Sequence, residues 1–259
     1  MMSVFHYTRL STLIDYILPS GKLKANDLNN MNDPRESHAW SFGGMNVPLE
    51  TLFPGYYTDE THIDCQYRFG KMIKDRFQII CFSGARQQGW NNEMMWAHYA
   101  ENQRGVCLEF DIDSLTDEIR KIFPAMDWVL EPVNYISASH DSPWIIWNRQ
   151  LNTEENFKTN VKRIHKDIVL HKSHFWEKED EIRLVFLNEK KPVLIPIAGC
   201  LKAIHLGIGF PRTYLPAIED LVTSMDIGIY QNIYDNDEYQ RWRLKKENGK
   251  WRSYADDDQ

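Results

Sequence analysis

The chain has 259 residues, with 30 basic and 37 acidic side chains and a formal net charge of −7 at pH 7. This balance argues against a broad positive surface for nucleic acid, although a local basic groove is still compatible with it. The chain is long enough to bury a substantial core, and no linker, repeat or low-complexity tract divides it. We therefore predict one domain over residues 1–255, followed by a disordered acidic tail at 256–259.

The cysteines and the apolar segments indicate the compartment. Four cysteines lie far apart, and two of them stand in apolar runs, which is typical of buried, reduced thiols. No stretch approaches the roughly 18 apolar residues of a membrane span, and the N-terminus lacks the basic-then-apolar order of a secretory signal. We expect a cytoplasmic protein with no membrane partner.

The first elements in chain order are a strand, a helix, a turn and a short strand. The alternating segment SVFHYT predicts the first strand, and Ser11 or Thr12 is suited to cap a helix through TLIDYIL. Pro19 and Gly21 predict the end of that helix. The stretch NNMNDPRES predicts a loop, because Asn and Asp favour turns and Pro34 restrains the residue before it. A helix over HIDCQYRFGKMIKDRF and a buried strand over QIICFS follow.

The second half of the chain mixes strands and helices. The stretch MMWAHYAENQRGVCLEF predicts a helix over roughly 92–102 and a strand over roughly 105–110. Apolar residues spaced by three and four predict the longest helix over 153–174, behind a Thr cap. EIRLVFL, KPVLIPI and KAIHLGIG predict strands, a helix follows near 212–224, and the C-terminal segments predict a hairpin. The order has no regular βαβ period, so we predict an α+β fold with a mixed or antiparallel central sheet flanked by helices.

Motifs for metal and phosphate binding are incomplete. The pairs His62/Cys65 and His171/His174 have ligand-like spacing, but no CxxC pair or HExxH motif accompanies them. LGIGF lacks the third glycine of a dinucleotide fingerprint, and CFSGA has no glycine two residues before Ser83, as a nucleophile elbow requires. We therefore predict no metal site.

A compact polar group is predicted within KSHFWEKEDEIRLVF. If a strand begins near Glu179, alternation places Glu179, Glu181 and Arg183 on one side of it. These side chains could form a polar cluster at the mouth of an apolar strand, or an ordinary ion pair on a solvated edge. The spacing alone leaves both interpretations open.

Several segments, taken in order, resemble a known family. They are HYT at 6–8, NDP followed by Glu36, CFS, MWAHYA followed by GVCLEF, a later Tyr, the K, W, E, E and R of KSHFWEKEDEIR, and a final LG. This pattern resembles the domain of unknown function 2971 family, which is distantly similar to ADP-ribosyltransferase-like folds, and it covers residues 5–210. The resemblance implies a bacterial or phage origin, a toxin or phage-defence role, and a split sheet that holds NAD.

The same resemblance implies roles for individual residues on the first strand. Transferases of this kind have a first-strand His or Arg, a central aromatic residue or Ser, and a late Glu. His6 with Thr8 resembles the ribose-binding position of the first strand. Tyr7 stands where many of those enzymes have glycine, which is a departure from their pattern.

For the central residue and the late Glu of these transferases, more than one residue of this sequence is a match. Ser83 or Tyr99 resembles the central residue, and Glu181 or Glu179 resembles the late catalytic carboxylate. The family pattern also singles out Asn32, Asp33, Glu36, Trp96, Trp176 and Arg183. The residues implied to contact the nucleotide are Tyr7, Thr8, Asn32, Asp33, Ser83, Trp96, His98, Lys172 and Arg183.

The implied substrate is NAD, with no metal. Cleavage of the nicotinamide–ribose bond develops positive charge on the ribose, so a carboxylate placed there would stabilise the transition state more than the ground state. A ring from Tyr7, Trp96 or Tyr99 could stack on nicotinamide, and Arg183 or Lys172 could meet the pyrophosphate. The acceptor could be a protein side chain, a nucleic acid or water.

This hypothesis makes one decisive geometric demand. His6, Tyr99, Glu179, Glu181 and Arg183 must converge on one concave site, and the transferase hypothesis loses its basis if His6 and Glu181 lie on opposite faces of the sheet. Two alternatives stand beside it. One is a catalytically silent module that binds a nucleotide or a partner protein, and the other is a nucleic-acid-processing enzyme that uses the paired carboxylates. Each residue also has a structural interpretation, as a buried His or a core aromatic ring.

Overall fold

The structure, a computed structural model, describes residues 2–38, 49–52, 54, 61–86, 89–137, 148, 152–187, 192–223 and 225–255. Its strands are β1 Ser3–Thr8, β2 Lys22–Lys24, β3 Gln78–Ser83, β4 Val106–Asp111, β5 Trp128–Pro132, β6 Asn134–Ile136, β7 His171–Ser173, β8 Glu181–Phe186, β9 Leu194–Pro196, β10 Leu201–Leu206, β11 Gly228–Asp235, β12 Glu238–Glu247 and β13 Lys250–Ala255. Its α-helices are α1 Leu10–Thr12, α2 Leu18–Ser20, α3 Pro34–Ser37, α4 Leu49–Leu52, α5 His62–Arg76, α6 Glu93–Tyr99, α7 Ile112–Ile122, α8 Thr153–Ile164 and α9 Leu215–Val222. Short 3-10 segments are Leu28–Asn30, His174–Glu179 and Arg212–Tyr214, and π-helical segments are Leu13–Ile17 and His165–Val169.

Nine strands form one sheet in the order β13-β12-β11-β10-β4-β1-β3-β8-β5. β10 and β11 run parallel, and the other neighbouring strands of this sheet run antiparallel. Two small pairs, β2 with β9 and β6 with β7, lie outside it. The predicted α+β class, with a mixed and mostly antiparallel sheet, is confirmed.

The two faces of this sheet are covered by different apolar groups, because successive side chains of a strand point to opposite sides. Val4 and Phe82 lie on the face that packs against Leu115 of α7 in the largest apolar cluster, and we call it the core face. Phe5 and Ser83 lie on the other face, which we call the site face. Smaller apolar groups cover the site face, one of them around Phe5 and Trp96 of α6.

One row of side chains crosses four neighbouring strands on the site face: Glu109, Phe5, Ser83 and Glu181. Each residue stands directly opposite the next, so the four side chains project to the same side. Three strand spacings separate the two glutamates, which is about 14 Å. This row fixes which polar groups can share a site.

The N-terminal segment agrees with the prediction except at the helix start. The predicted first strand is β1, but the helical segment begins at Leu10 after Arg9, without a side-chain cap from Ser11 or Thr12. The helical path also continues through Pro19 and ends at Gly21, whose φ of 62° is left-handed. Glycine adopts this conformation without steric cost, so it ends the helix where proline does not.

The predicted helix over 153–174 is shorter than expected. Asn152, and not a threonine, caps α8 in a capping box with Glu155. The helical path ends at Val169, and the next residues form β7, which pairs with β6. That strand pairing ends the helix early, and the sequence pattern carried no sign of it.

Several elements were not predicted, among them α3 within the predicted loop, and α7 and β5. α7 follows β4 directly, and the side chain of Asp111 caps it by accepting a hydrogen bond from Ser114 N at 2.9 Å. β5 pairs with β8 at the edge of the sheet. The predicted tail at 256–259 lies outside the described residues, and the single-domain assignment stays a prediction.

The cysteines are thiols and not disulfides, as predicted. Cys107 is buried in β4, and Cys81 is partly buried in β3. None of the helices that the structure describes combines the length and the apolar character needed to cross a membrane.

Candidate functional site

Five charged side chains meet on the site face next to β8. We call this group the ion cluster: Glu36, Lys172, Glu179, Glu181 and Arg183. All five are buried, and the side chains of Glu179 and Glu181 are only 2% and 4% exposed. Buried charges are tolerated when they are paired and hydrogen-bonded, so the pairing inside the cluster determines what it can do.

Arg183 anchors one end of the ion cluster. Its Nε and Nη2 donate to Oε1 and Oε2 of Glu181 at 2.8 and 3.0 Å, which is the two-bond geometry that guanidinium and carboxylate groups favour. Its Nη1 pairs with Glu36 and donates to the carbonyl oxygen of Val169 at 2.5 Å. Arg183 is fully buried, and these contacts satisfy its planar head group.

Lys172 bridges the two late glutamates. Its Nζ lies 2.5 Å from Glu179 Oε2 and 3.1 Å from Glu181 Oε2. The predicted grouping of Glu179, Glu181 and Arg183 is therefore correct, and the edge-exposed ion pair is excluded.

The route by which Glu179 reaches the cluster differs from the prediction. β8 begins at Glu181, and residues 174–179 form a 3-10 segment that ends at Asp180 with φ 45°. The left-handed residue turns the chain so that Glu179 lies beside Glu181 without being part of the strand. Ser83 Oγ donates to the carbonyl oxygen of Glu179 at 2.7 Å, and Gly84 N donates to that of Asp180 at 2.7 Å, which holds the turn.

The cations control the ionisation of the cluster. Burial favours the neutral form of Glu181, but Arg183 and Lys172 lower the pKa of this carboxyl to about 2. Burial likewise opposes the charge of Lys172, and Glu181 and Glu179 raise its pKa. For Glu36 burial outweighs the attraction of Arg183, so its pKa is raised from 4.5. With every group charged, three carboxylates face two cations, and the cluster carries one excess negative charge.

Four less buried side chains lie over this charge. We call them the rim: Asn32, His98, Tyr99 and Trp176. Tyr99 is half-buried, donates its hydroxyl hydrogen to Glu179 Oε1 at 2.6 Å, and is hydrogen-bonded by Asn32. Burial and the charge of Glu179 raise the pKa of the Tyr99 phenol, so it stays a donor.

The rest of the rim is aromatic. Lys172 Nζ lies 5.1 Å from the centre of the half-buried Trp176 ring, within the range of cation–π attraction. The ring of the exposed His98 meets Trp176 edge-on, with centres 6.4 Å apart. The rim thus places three aromatic rings and an amide between the ion cluster and solvent.

His6 does not join this site. In the row that crosses the site face the first strand contributes Phe5, so His6, one residue further on, points to the core face. There its ring packs edge-on against Phe82, and its Nδ1 is hydrogen-bonded to the carbonyl oxygen of Cys81 at 2.9 Å. Burial lowers the pKa of His6. His6 and Glu181 therefore lie on opposite faces of the sheet, so the decisive geometric demand of the transferase hypothesis is not met. The other four residues, Tyr99, Glu179, Glu181 and Arg183, lie together. The first-strand part of the resemblance no longer supports that hypothesis.

Three other predicted contact residues also lie away from the ion cluster. Thr8 alternates with Tyr7 and shares the face of His6. The Tyr7 hydroxyl donates a hydrogen bond to the carbonyl oxygen of Gly89. The Tyr7 ring meets the Trp96 ring edge-on, with ring centres 5.1 Å apart. Trp96 is fully buried and donates Nε1–H to Trp90 O at 2.8 Å. Tyr7 and Trp96 thus form core structure behind the rim.

Two further side chains of the site had not been assigned a role. The Cys81 thiol is hydrogen-bonded to Glu181, and Glu181 N donates to the Tyr135 hydroxyl at 2.8 Å. Tyr135 supplies the later tyrosine of the family pattern, which was the only sequence signal for it. Asp33, which was predicted, is buried and accepts a hydrogen bond from Ser173 N at 3.2 Å, next to Lys172.

Within the described ranges, no group of three or more His, Cys, Asp or Glu side chains is arranged to hold a metal ion. The pair His171/His174, which has ligand-like spacing in the sequence, does not act as a unit there. Nδ1 of His171 is hydrogen-bonded to Asp167 O at 2.8 Å, and His174 is exposed against Phe175.

The fold and the site define an α+β protein with a buried, hydrogen-bonded ion cluster under an aromatic rim. The model of the family described as "Protein of unknown function (DUF2971)" matches residues 95–184, which contain β7, parts of α6 and β8, and most of the site. This match supports the resemblance to that family over the matched segment. No curated protein and no solved structure matches the chain.

Proposed function

We propose that the ion cluster and its rim act on NAD or a closely related nucleotide, either transferring the ADP-ribose group to an acceptor or hydrolysing the nucleotide. The observation that supports this is the hydrogen bond at 2.6 Å by which the half-buried Tyr99 phenol contacts the buried carboxylate of Glu179, next to the Trp176 ring. With Glu36 ionised as well, the ion cluster has one more carboxylate than cations. A positively charged, planar ring fits such a surface, and the nicotinamide group of NAD is one.

The chemistry accounts for the charge pattern. When the bond between ribose C1 and the nicotinamide nitrogen breaks, both bonding electrons leave with nicotinamide and the ribose gains positive charge. A fixed negative charge in a medium of low dielectric stabilises that state more strongly than the same charge in water. An acceptor nucleophile or water then forms the new bond to C1 and releases its proton.

The accessible group in this proposal is Tyr99. Glu179 is too buried to meet the ribose, but it fixes the phenol of Tyr99 through the 2.6 Å hydrogen bond. Tyr99 and Asn32 would contact the ribose hydroxyls, with Glu179 as the positioning residue behind them. The proposal makes no use of His6, so the ribose contact expected from the first strand is dropped.

The experiment measures nicotinamide release from NAD by the purified protein, with and without cell extract. Release in both indicates hydrolysis, and release with extract only indicates transfer. We expect Glu179→Gln to lower turnover by about 10²–10³-fold while NAD affinity changes far less, because it removes charge and keeps shape. Tyr99→Phe should lower turnover as well.

A matched control is available outside the ion cluster. Glu154 forms an ion pair with Arg76 at 2.6 Å, so Glu154→Gln removes the charge of a paired glutamate without touching the site. It should release nicotinamide at the wild-type rate. Equal rates in Glu179→Gln and wild type, with both folded by circular dichroism, would remove the glutamate from the proposal.

A silent binding module is the second candidate, and one observation favours it. Both late glutamates are sequestered by Lys172 and Arg183, as in a purely structural ion network. Calorimetric binding of NAD without any release would establish this alternative. The third expectation, nucleic-acid processing by paired carboxylates, is less well supported, because the same cations occupy the carboxylates that it needs.

A further inference from the structure

A cavity of about 1620 Å³ opens on the site face, next to the ion cluster and separate from it. Phe5 and Glu109 of the cross-strand row form part of its floor, and Trp90, Tyr239 and Arg241 form part of its wall. Lys178 lines the cavity, whereas the next residue, Glu179, belongs to the ion cluster. The 3-10 segment 174–179 therefore lies between the two.

The floor of the cavity holds a second polar group, which we call the Glu109 cluster: Ser3, Glu109, Lys202, His205 and Arg241. Glu109 Oε1 accepts a hydrogen bond from Ser3 Oγ at 2.7 Å and lies 3.3 Å from Lys202 Nζ. Its Oε2 lies 3.0 Å from His205 Nε2 and 3.9 Å from Arg241 Nη1. Although burial opposes ionisation, His205 and Ser3 lower the pKa of Glu109 to about 2. The floor thus presents a carboxylate held in the charged form.

Aromatic rings bind a cation in this region already. The rings of Trp90 and Tyr230 each lie nearly parallel to that of His205, with interplanar angles of 10° and 18°. The guanidinium carbon of Arg241 lies 5.3 Å from the Trp90 ring centre and 4.9 Å from that of Tyr230. Both distances are in the cation–π range, so this wall is suited to a positively charged group.

The charged side chains that line the cavity also favour a positively charged ligand. Among the described residues, four carboxylates line it, those of Glu93, Glu109, Asp237 and Glu238, together with the cations Lys178 and Arg241. Lys202, which contacts Glu109 but is not part of the lining, is a third cation nearby. Arg241 is directed at Glu109 and the aromatic rings, so it is poorly placed to receive an anion. The electrostatic balance favours cations.

An unusual backbone segment builds one side of the cavity. Glu101, Asn102 and Gln103 all have left-handed φ angles, of 49°, 52° and 68°, and Gln103 lines the cavity. Such conformations cost energy in residues other than glycine, and they persist only where the surroundings enforce them. Here Gly209 N donates to Gln103 O at 2.9 Å, and a Cβ on Gly207 would lie 2.1 Å from the same oxygen. The wall is therefore fixed by its neighbours.

We propose that this cavity binds a small organic cation that carries several amine or guanidinium groups, such as an aliphatic polyamine. Its ammonium groups would pair with the carboxylates of the floor and rim, and its chain would lie along Phe5, Trp90 and Tyr239. The volume exceeds the roughly 300–1,000 Å³ of ordinary small-molecule pockets, which suits an extended ligand. The proposal is independent of any activity on NAD.

The probe is spermidine, titrated into the full-length protein by calorimetry, with AMP as the anionic comparison. We expect spermidine to bind and AMP not to compete with it. Trp90→Leu should weaken spermidine binding about tenfold through loss of the aromatic face. The double variant Glu93→Gln/Glu238→Gln, which changes exposed carboxylates only, should weaken it by a similar factor.

The matched control lies on the same strand as Glu238. Glu247→Gln makes the same substitution at the far end of β12, nine residues away, and it should leave spermidine affinity unchanged. Equal weakening by Glu247→Gln and by Glu93→Gln/Glu238→Gln would mean that spermidine responds to the net charge of the protein and not to this cavity, which would overturn the proposal. Displacement of spermidine by AMP, or wild-type affinity in Trp90→Leu, would overturn it as well.

Discussion

The ion cluster and the Glu109 cluster lie on the same face of the same sheet, about three strands apart, yet their charges face different surroundings. Each has a glutamate in the cross-strand row, and each glutamate has a pKa lowered to about 2. In the ion cluster Glu181 is closed in by Arg183 and Lys172. In the Glu109 cluster the carboxylate is contacted by Lys202, His205 and Arg241, but it also lines a cavity, with 12% of its side chain exposed.

The difference shows how similar carboxylates come to serve different purposes. A charge that is fully paired inside the protein could influence a ligand only through a less buried neighbour, which is the role proposed for Tyr99 beside Glu179. A carboxylate that lines a cavity, as Glu109 does, can be approached from the cavity even when other side chains contact it. A lowered carboxyl pKa is common to both clusters and does not distinguish their roles. The accessibility of each carboxylate to a ligand distinguishes them better.

The largest difference between the clusters is expected when each loses its arginine. Arg183→Ala removes the cation that contacts Glu36 and leaves Glu181 paired with Lys172 only, so we expect a loss of about 3–5 kcal/mol in the free energy of unfolding. Arg241→Ala should cost about 1 kcal/mol or less, because its side chain is 20% exposed and Glu109 keeps Ser3, Lys202 and His205.

Urea denaturation of both variants beside wild type gives the comparison. Similar losses in Arg183→Ala and Arg241→Ala would mean that the two clusters are equally structural, and the distinction drawn between them would be wrong.

A smaller change in the free energy of unfolding is expected when the pH is lowered. The pKa of Glu181 and of Glu109 is lowered from 4.5 to about 2 in the folded protein, so each stabilises the fold fully above pH 4.5 and loses this contribution as the pH falls toward 2. Each contribution is on the order of 3 kcal/mol. Glu36, whose pKa is raised, acts in the opposite sense and offsets part of the loss.

The measurement is urea unfolding at pH about 5.5 and about 3, for wild type, Glu181→Gln and Glu109→Gln. Each variant should lose less stability between the two pH values than wild type does. About 1 M salt should shrink the Glu109 contribution more than that of Glu181, because ions in solvent screen a charge at a cavity surface and not a sealed one. An equal response to salt would contradict the difference in access.

The sequence predicted the ion cluster better than it predicted the cavity, and the reason lies in how local each one is. Glu179, Glu181 and Arg183 lie within five residues, so the alternation of one strand was enough to group two of them. The third joined through a left-handed turn at Asp180, which an alternation pattern does not represent. The Glu109 cluster joins four separate strands, and its pairings depend on the order β12-β11-β10-β4-β1, which no local pattern encodes.

His6 shows the opposite limit of sequence reasoning. Its position on the first strand was predicted correctly, but its direction was not, because a single residue decides which face a side chain takes. The register of β1 against β3 pairs Phe5 with Ser83, and this one pairing sends His6 to the core face. The sequence therefore contains the expected histidine, but the register of β1 places its side chain on the face opposite the site.

The smallest effects on stability, and the clearest separation of the two regions, are expected from two tryptophans. Trp176 and Trp90 are both half-buried, and each lies within cation–π distance of a charged side chain, Lys172 or Arg241. Replacing either ring by leucine should cost only about 0.5–1 kcal/mol in the free energy of unfolding, since an aliphatic side chain keeps much of the packing.

The effects of the two replacements on ligands should be opposite. Trp176→Leu should slow nicotinamide release and leave spermidine affinity unchanged, whereas Trp90→Leu should weaken spermidine and leave nicotinamide release unchanged. Each variant is the control for the other, so loss of both properties in either one would show that the rim and the cavity work as a single site.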